Sequence, residues 1–236
     1  MRSVKVEEFC QQFLHLWSQA TNPHLQLLKQ DPLYAKVDPA QAESFIETAE
    51  SIGKQEARWY REHPQELQGI IDSLKINELP EAQAQQERYT FAVYKKTDHI
   101  MIDRNFLAQA QHFIEAQQLS RLLPAKTLTE LVFMHEVFHV LEYRKNLWTI
   151  QRQLHYQIVF LKKQARLYSL SEIAAASFVQ TFFQLENSPT LLASCIIYCK
   201  NPELAQADGW FMYQRSLQSA LKHILVHIAQ VRLELI

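Results

Sequence analysis

Glycine is scarce. The 236-residue chain has three, where average usage gives roughly five times more. Sheets and barrels with many tight turns rely on glycine at φ > 0. Its scarcity, beside abundant Gln, Leu, Ala and Glu, argues for a mostly helical protein. Cysteine is also rare: Cys10, Cys195 and Cys199. An odd count without regular spacing excludes a disulfide framework. Cys195 and Cys199 lie one helical turn apart among Leu191, Leu192, Ile196 and Ile197. Buried thiols in a reducing compartment are expected there, ahead of a redox or metal pair.

Neither sign of charge dominates. The formal net charge is −1, so no global field draws nucleic acid or a membrane surface, and no nucleic-acid partner is expected. Long apolar runs are missing too, all far short of the ~18–20 residues of a membrane span. Met1-Arg2-Ser3-Val4-Lys5 leads into Glu7 and Glu8 with no apolar h-region. A cytoplasmic protein is expected, with export by a signal-less route left open. What is present is apolar content, 47% of residues. That excludes disorder and suffices at this length for a core without staples.

Apolar spacing predicts helices over residues 4–20, 40–62, 65–75 and 104–119. Residues 23–39, with Pro23, Pro32 and Pro39, read as irregular. Residues 77–87 are polar and Gln-rich and read as a linker. Over residues 88–103, Tyr89, Phe91 and Val93, then Ile100 and Ile102, alternate with their neighbours around a polar break. This is the one β-hairpin the pattern supports. Thr127-Leu128-Thr129-Glu130 forms a capping box, and the helix it opens, about 128–146, is apolar on every side and therefore central. Further helices are expected over 147–168, 172–187, 190–200 and 203–235.

His135-Glu136-Val137-Phe138-His139 has the pattern H-E-x-x-H. Residues i and i+4 share a helix face, so both imidazoles can reach one Zn²⁺ at roughly 2.0–2.1 Å. Glu136 projects beside the open side of the metal, placed to take a proton as general base. The bland alternative is a pair of hydrogen-bonded core histidines, but two histidines and a glutamate inside a buried helix are costly unless something satisfies them.

A catalytic zinc needs a third protein ligand. Glu142 shares the face but lies about 10 Å along the axis from His135, too far to converge. Glu172, the next acid in the chain, is the better candidate. It is read as opening a helix in which Ala175 and Ala176 allow close approach to the motif helix. The alternative for Glu172 is an ordinary capping box with Ser169. Tyr143, His155 and Tyr156 are nearby hydrogen-bond donors, each read first as structural. His223 and His227 also lie one turn apart, without a neighbouring acid, and read as surface or satisfied histidines.

H-E-x-x-H followed a few dozen residues later by a helical Glu resembles the gluzincin zinc metallopeptidases. The hairpin ending in Ile100-Met101-Ile102-Asp103, the motif helix, and Glu172, Ala175 and Phe178 in an E-x-x-A-x-x-F run resemble the ImmA/IrrE-like peptidases over residues 88–185. The resemblance implies a mainly α (α+β) protein. It would have a zincin-like core, a small β-hairpin or sheet packed on the motif helix, and added N- and C-terminal helices. The polar linker, for its part, divides residues 1–76, an N-terminal helical region, from 77–236, a zincin-like peptidase domain with C-terminal helices, or the two form one compact unit. The resemblance further implies one Zn²⁺ on His135, His139 and Glu172. Glu136 would be the general base in limited proteolysis of a protein substrate, in that family often a transcriptional repressor. The chain differs in carrying Ala176 where an Asn often stands, in showing no helix-turn-helix segment, and in a long basic segment between the ligands.

That segment has no acid from Tyr143 to Ser171 but carries Arg144, Lys145, Arg152, Lys162, Lys163 and Arg166. It reads as a solvated basic face, or as a docking surface over residues 144–166 for an acidic partner. The competing functions are a non-catalytic, zinc-stabilised helical interaction module and a helical binding protein with a chance motif. A ferritin-like di-metal bundle needs a second E-x-x-H, which the chain lacks.

Overall fold

Pro39 and Pro64 occupy the first turns of two consecutive helices, where a missing N–H is harmless. Between them runs α3 (Pro39–Glu62), capped by the Asp38 carboxylate accepting from the Ala40 N–H. His63 separates it from α4 (Pro64–Asp72). In this computed structural model residues 6–19, 23–79, 92–95, 98–120, 126–158 and 160–200 are described. The N-terminal helix is α1 (Val6–Gln19). Residues 23–39, expected to be irregular, instead contain α2 (Pro23–Gln30) and a 3₁₀ turn (Tyr34–Lys36). Pro23 starts a helix here instead of ending one.

Three short strands follow: β1 (Lys75–Glu78), β2 (Ala92–Lys95) and β3 (His99–Ile102). The expected hairpin is the antiparallel β2–β3 pair, with Tyr94 opposite Ile100. β1 adds in parallel on the other side of β3, so the order is β1-β3-β2. The expected linker is thus strand at Asn77 and Glu78, while residues 80–91 lie outside the described residues. Asp103 caps α5 (Arg104–Ala116). The capping box of Thr127 and Glu130 is formed, opening α6 (Leu128–Lys145).

A helix was expected over 147–168. The structure has a one-turn α7 (Trp148–Gln151) and a second antiparallel hairpin, β4 (Gln153–Ile158) with β5 (Leu161–Arg166). Helix α8 then runs Tyr168–Phe183, starting a full turn before Glu172. A 3₁₀ turn (Pro189–Leu192) and α9 (Ala193–Lys200) complete the described chain. The helix expected over 203–235, with His223 and His227, lies outside it.

Helix α8 is the centre of the fold. Ile173, Ala174, Ala175, Ala176, Ser177, Phe178 and Val179 are all buried. Its closest neighbour is α3, not the motif helix. A Cβ on Gly53 of α3 would stand 2.1 Å from the Ala174 carbonyl oxygen and 2.9 Å from the Phe178 nitrogen. Only glycine permits that backbone contact. Helix α8 also meets α6, through Phe178 and Phe138, ring centroids 5.4 Å apart. Truncating a buried aromatic of this kind costs about 3–5 kcal/mol, so the α6–α8 spacing is firmly held. One apolar cluster links Phe9 and Phe13 of α1, α3, β3, α5, α6, α8 and Tyr198 of α9. Cys195 is buried and Cys10 and Cys199 half-buried, all free thiols; burial raises Cys199 to about 11. Among the described residues no helix is long and apolar enough to cross a membrane.

Glycine's rarity is met by other residues. Asn146 and Gln184 end α6 and α8 in the left-handed region, at φ 49 and 56°, and Asp98 does so in the β2–β3 turn at φ 57°.

Candidate metal centre

The two histidines of α6 lie one turn apart, as helical geometry requires, with ring centroids 4.9 Å apart. Their Nε2 atoms are 3.1 Å from each other. Across the α6–α8 contact stands Glu172, with Oε2 3.0 Å from His135 Nε2 and Oε1 3.5 Å from His139 Nε2. One ligand atom from each of His135, His139 and Glu172 lies within 4.8 Å of the others. These three residues could hold a metal ion. The sequence pointed to the same three, and the α6–α8 packing brings them together.

Glu172 is not a helix cap. Its helix begins at Tyr168, and Ser169 instead gives both its backbone N–H and its hydroxyl to Asp31 Oδ2, at 3.1 and 3.0 Å. The Glu172 side chain is about half exposed, at 49%, so the cluster faces solvent on the α8 side. His139 is the more enclosed imidazole, at 13%.

Behind His139 is a second layer. Its Nδ1–H donates to Glu142 Oε2 at 3.3 Å. Glu142 is wholly buried. It also accepts from the hydroxyls of Ser171, at 2.5 Å, and Thr149, and Arg166 Nη2 is 3.5 Å away. Too far along the helix to join the three, Glu142 instead orients His139 from behind. An imidazole whose Nδ1–H is held by a carboxylate presents Nε2 with a fixed tautomer and raised basicity. Position i+3 from His139 was a readable signal for this contact. Ser171 and Thr149 gave none, because each reaches the network from another helix.

Electrostatics follow the geometry. Burial pushes His139 toward neutrality, but the charge of Glu172 and the hydrogen bond to Glu142 outweigh it and raise its pKa to about 9. Burial likewise pushes Glu172 up, and His139 with the His135 hydrogen bond pull it down to about 2. Glu142 is raised by burial but held below its ordinary value by the hydrogen bond from His139. Mutually stabilised imidazole and carboxylate charges around one point are what a bound cation replaces.

Glu136 stands next to this triangle, within reach of the charges of His139, His135 and Glu172. It is buried, and burial raises its pKa above the usual carboxylate range, partly offset by His139 and His135. It accepts a hydrogen bond from the backbone of Tyr94 in β2. The motif helix therefore packs against β2, and Tyr94 and Tyr143 meet there at a tilt, ring centroids 5.5 Å apart. His155 is exposed on β4 and Tyr156 half-buried beside the core.

The basic segment is largely spent on internal contacts. Arg144 binds Asp98 at 2.9 Å, Lys145 binds Glu56 at 2.6 Å, and Arg152 lies over the Phe45 ring. Lys162 and Lys163 are exposed and in no ion pair among the described residues.

A second polar set shows the contrast. His24 Nδ1–H donates to Glu50 Oε1 at 2.7 Å, and its Nε2 meets Ser188 Oγ at 3.3 Å. The order Ser–His–carboxylate is that of a nucleophilic triad. But Ser188 and His24 are both buried; the set clamps α2, α3 and the Pro189–Leu192 turn together. No protein-family model, curated protein or solved structure matches the chain.

Proposed function

We propose that the protein is a zinc-dependent peptidase, with His135, His139 and Glu172 holding the ion and Glu136 acting as general base. The observation that carries the reading is the convergence of two imidazole nitrogens and a carboxylate from separate helices within 4.8 Å. Directly beside them stands a buried glutamate of raised pKa. Two imidazoles and one carboxylate form a three-ligand set typical of catalytic zinc.

When bound, Zn²⁺ supplies Lewis acidity and makes water nucleophilic near neutral pH. The chain's own residues do the rest. Glu142 fixes His139 through Nδ1, which leaves Nε2 as the nitrogen that would hold the ion. Glu136, desolvated and therefore a stronger base than an exposed carboxylate, takes the proton from the attacking water and passes it to the leaving amine. Among the described residues β2 ends the sheet beside it, and an extended peptide is the substrate shape that an edge strand accepts.

One observation favours a second reading, a zinc-stabilised module without catalysis. Glu136 is already engaged by the Tyr94 backbone, which suits a structural role. Replacing it separates the two. Newly formed protein termini are counted in a cell lysate incubated with the parent or with Glu136→Gln. The peptidase reading expects cleavage to fall about 10²–10⁴-fold with metal content unchanged. Equal cleavage by both proteins contradicts it.

A further inference from the structure

The β4–β5 hairpin leaves the body of the protein. At its root, Leu154 is buried, and Arg166 lies 3.5 Å from Glu142. Facing positions along the ladder are Leu154 with Ala165, Tyr156 with Lys163, and Gln157 with Lys162. Exposure grows outward from root to tip. Phe160 is 90% exposed and Leu161 62%, more than any other large apolar side chain among the described residues. Lys162 and Lys163 follow at once, exposed and in no ion pair among the described residues. No acid occurs anywhere from Tyr143 to Ser171.

An aromatic and a leucine held out in water, with two lysines behind them, require an apolar and anionic counterpart. A specific protein interface buries about 800 Å² on each partner. The end of a two-stranded ribbon, with strands about 5 Å apart, presents far less. A lipid interface makes no such demand. A few apolar side chains pass the headgroups while lysine stems lie along the boundary with their ammonium groups on lipid phosphate and carboxylate. We propose that the tip of this hairpin, Phe160 and Leu161 backed by Lys162 and Lys163, docks the protein reversibly on an anionic lipid bilayer surface. Lys162 and Lys163, in no ion pair among the described residues, supply the complementary charge.

The test uses the full chain and sedimentation with two kinds of vesicle, phosphatidylcholine containing a minor fraction of phosphatidylserine, and phosphatidylcholine alone. The parent is expected to bind the anionic vesicles, with affinity falling as salt rises, and to leave the neutral ones in solution. Each lysine near such a surface strengthens binding about fivefold. The double variant Lys162→Gln/Lys163→Gln is therefore expected to bind roughly twenty-five times more weakly. Phe160→Ser/Leu161→Ser is expected to lose about tenfold or more. All four side chains are exposed, so circular dichroism and melting should match the parent. Failure of the parent to bind anionic vesicles overturns the proposal. So does binding that neither double variant weakens. Absent vesicle binding, with a dimer that Phe160→Ser/Leu161→Ser dissolves, overturns it and assigns the tip to a second copy of the chain. Vesicle binding reads no cleavage, so the peptidase reading stands or falls separately.

Discussion

Two histidine–glutamate networks cross this fold, and they differ in one respect that decides what each can do. In the first, His24, Glu50 and Ser188 join α2, α3 and the Pro189–Leu192 turn. His24 and Ser188 are buried, and Lys54 donates to the second carboxylate oxygen of Glu50 at 2.6 Å. Every partner is a neighbour of fixed position, so the set is closed. In the second, His135, His139 and Glu172 aim three ligand atoms at one point that opens to solvent on the Glu172 side. Glu142, Ser171 and Thr149 behind them are buried and satisfied. Saturated polar groups make a clamp. Convergent groups on a saturated backing make a site.

The sharpest way to break this contrast is at the backing. Glu142→Gln keeps the shape and the acceptor but removes the charge that holds His139. Metal affinity is expected to fall about 10–100-fold, read by competition with a chelator of known affinity. An unchanged affinity would reduce Glu142 to packing.

Acid distinguishes the clamp. The hydrogen bond from His24 holds Glu50 at about 2, against an ordinary 4.5. A carboxylate with a depressed folded pKa adds stability above its unfolded value and loses it as pH falls through the folded one. Between pH 4.5 and 2 the parent should lose on the order of 1–3 kcal/mol more than Glu50→Gln, by denaturant melts. Parallel curves would show that the pair contributes nothing.

Protons also report on the open set, with a smaller effect. His139 sits at about 9 without metal, so at neutral pH it is charged, and a ligand imidazole must be neutral. Glu172, at about 2, is already ionised. Metal binding at pH 7 should therefore release about one proton, and affinity should rise with pH until about 9. Calorimetry in buffers of different ionisation enthalpy measures the number; zero would contradict the account of His139.

Much of the site was legible because it is local. The capping box, the H-E-x-x-H spacing and the all-round apolar pattern lie within one helix, where sequence neighbours are spatial neighbours. Glu172 was readable as the next acid in the chain. The β4–β5 hairpin was missed for a physical reason. Leu154, Tyr156 and Ile158 do alternate with Gln153, His155 and Gln157, but Leu161-Lys162-Lys163-Gln164-Ala165-Arg166 consists of strong helix formers, and cross-strand pairing overrode that preference. Pro23 misled in the opposite sense, since its φ suits a helix's first turn as well as its end. The close contact of α3 with α8 depends on Gly53 meeting Ala174, positions too far apart in sequence for any periodicity to relate.

The central claim is that three residues from α6 and α8 hold one zinc ion, and metal content tests it most directly. Protein purified without chelator or metal-affinity tag, beside His139→Ala, Glu172→Ala and His24→Ala, is analysed by elemental mass spectrometry. About one zinc per chain is expected in the parent and in His24→Ala, and strongly reduced zinc in the other two. A parent chain that holds no metal even after zinc is added, or a Glu172→Ala variant that keeps it, would contradict the account.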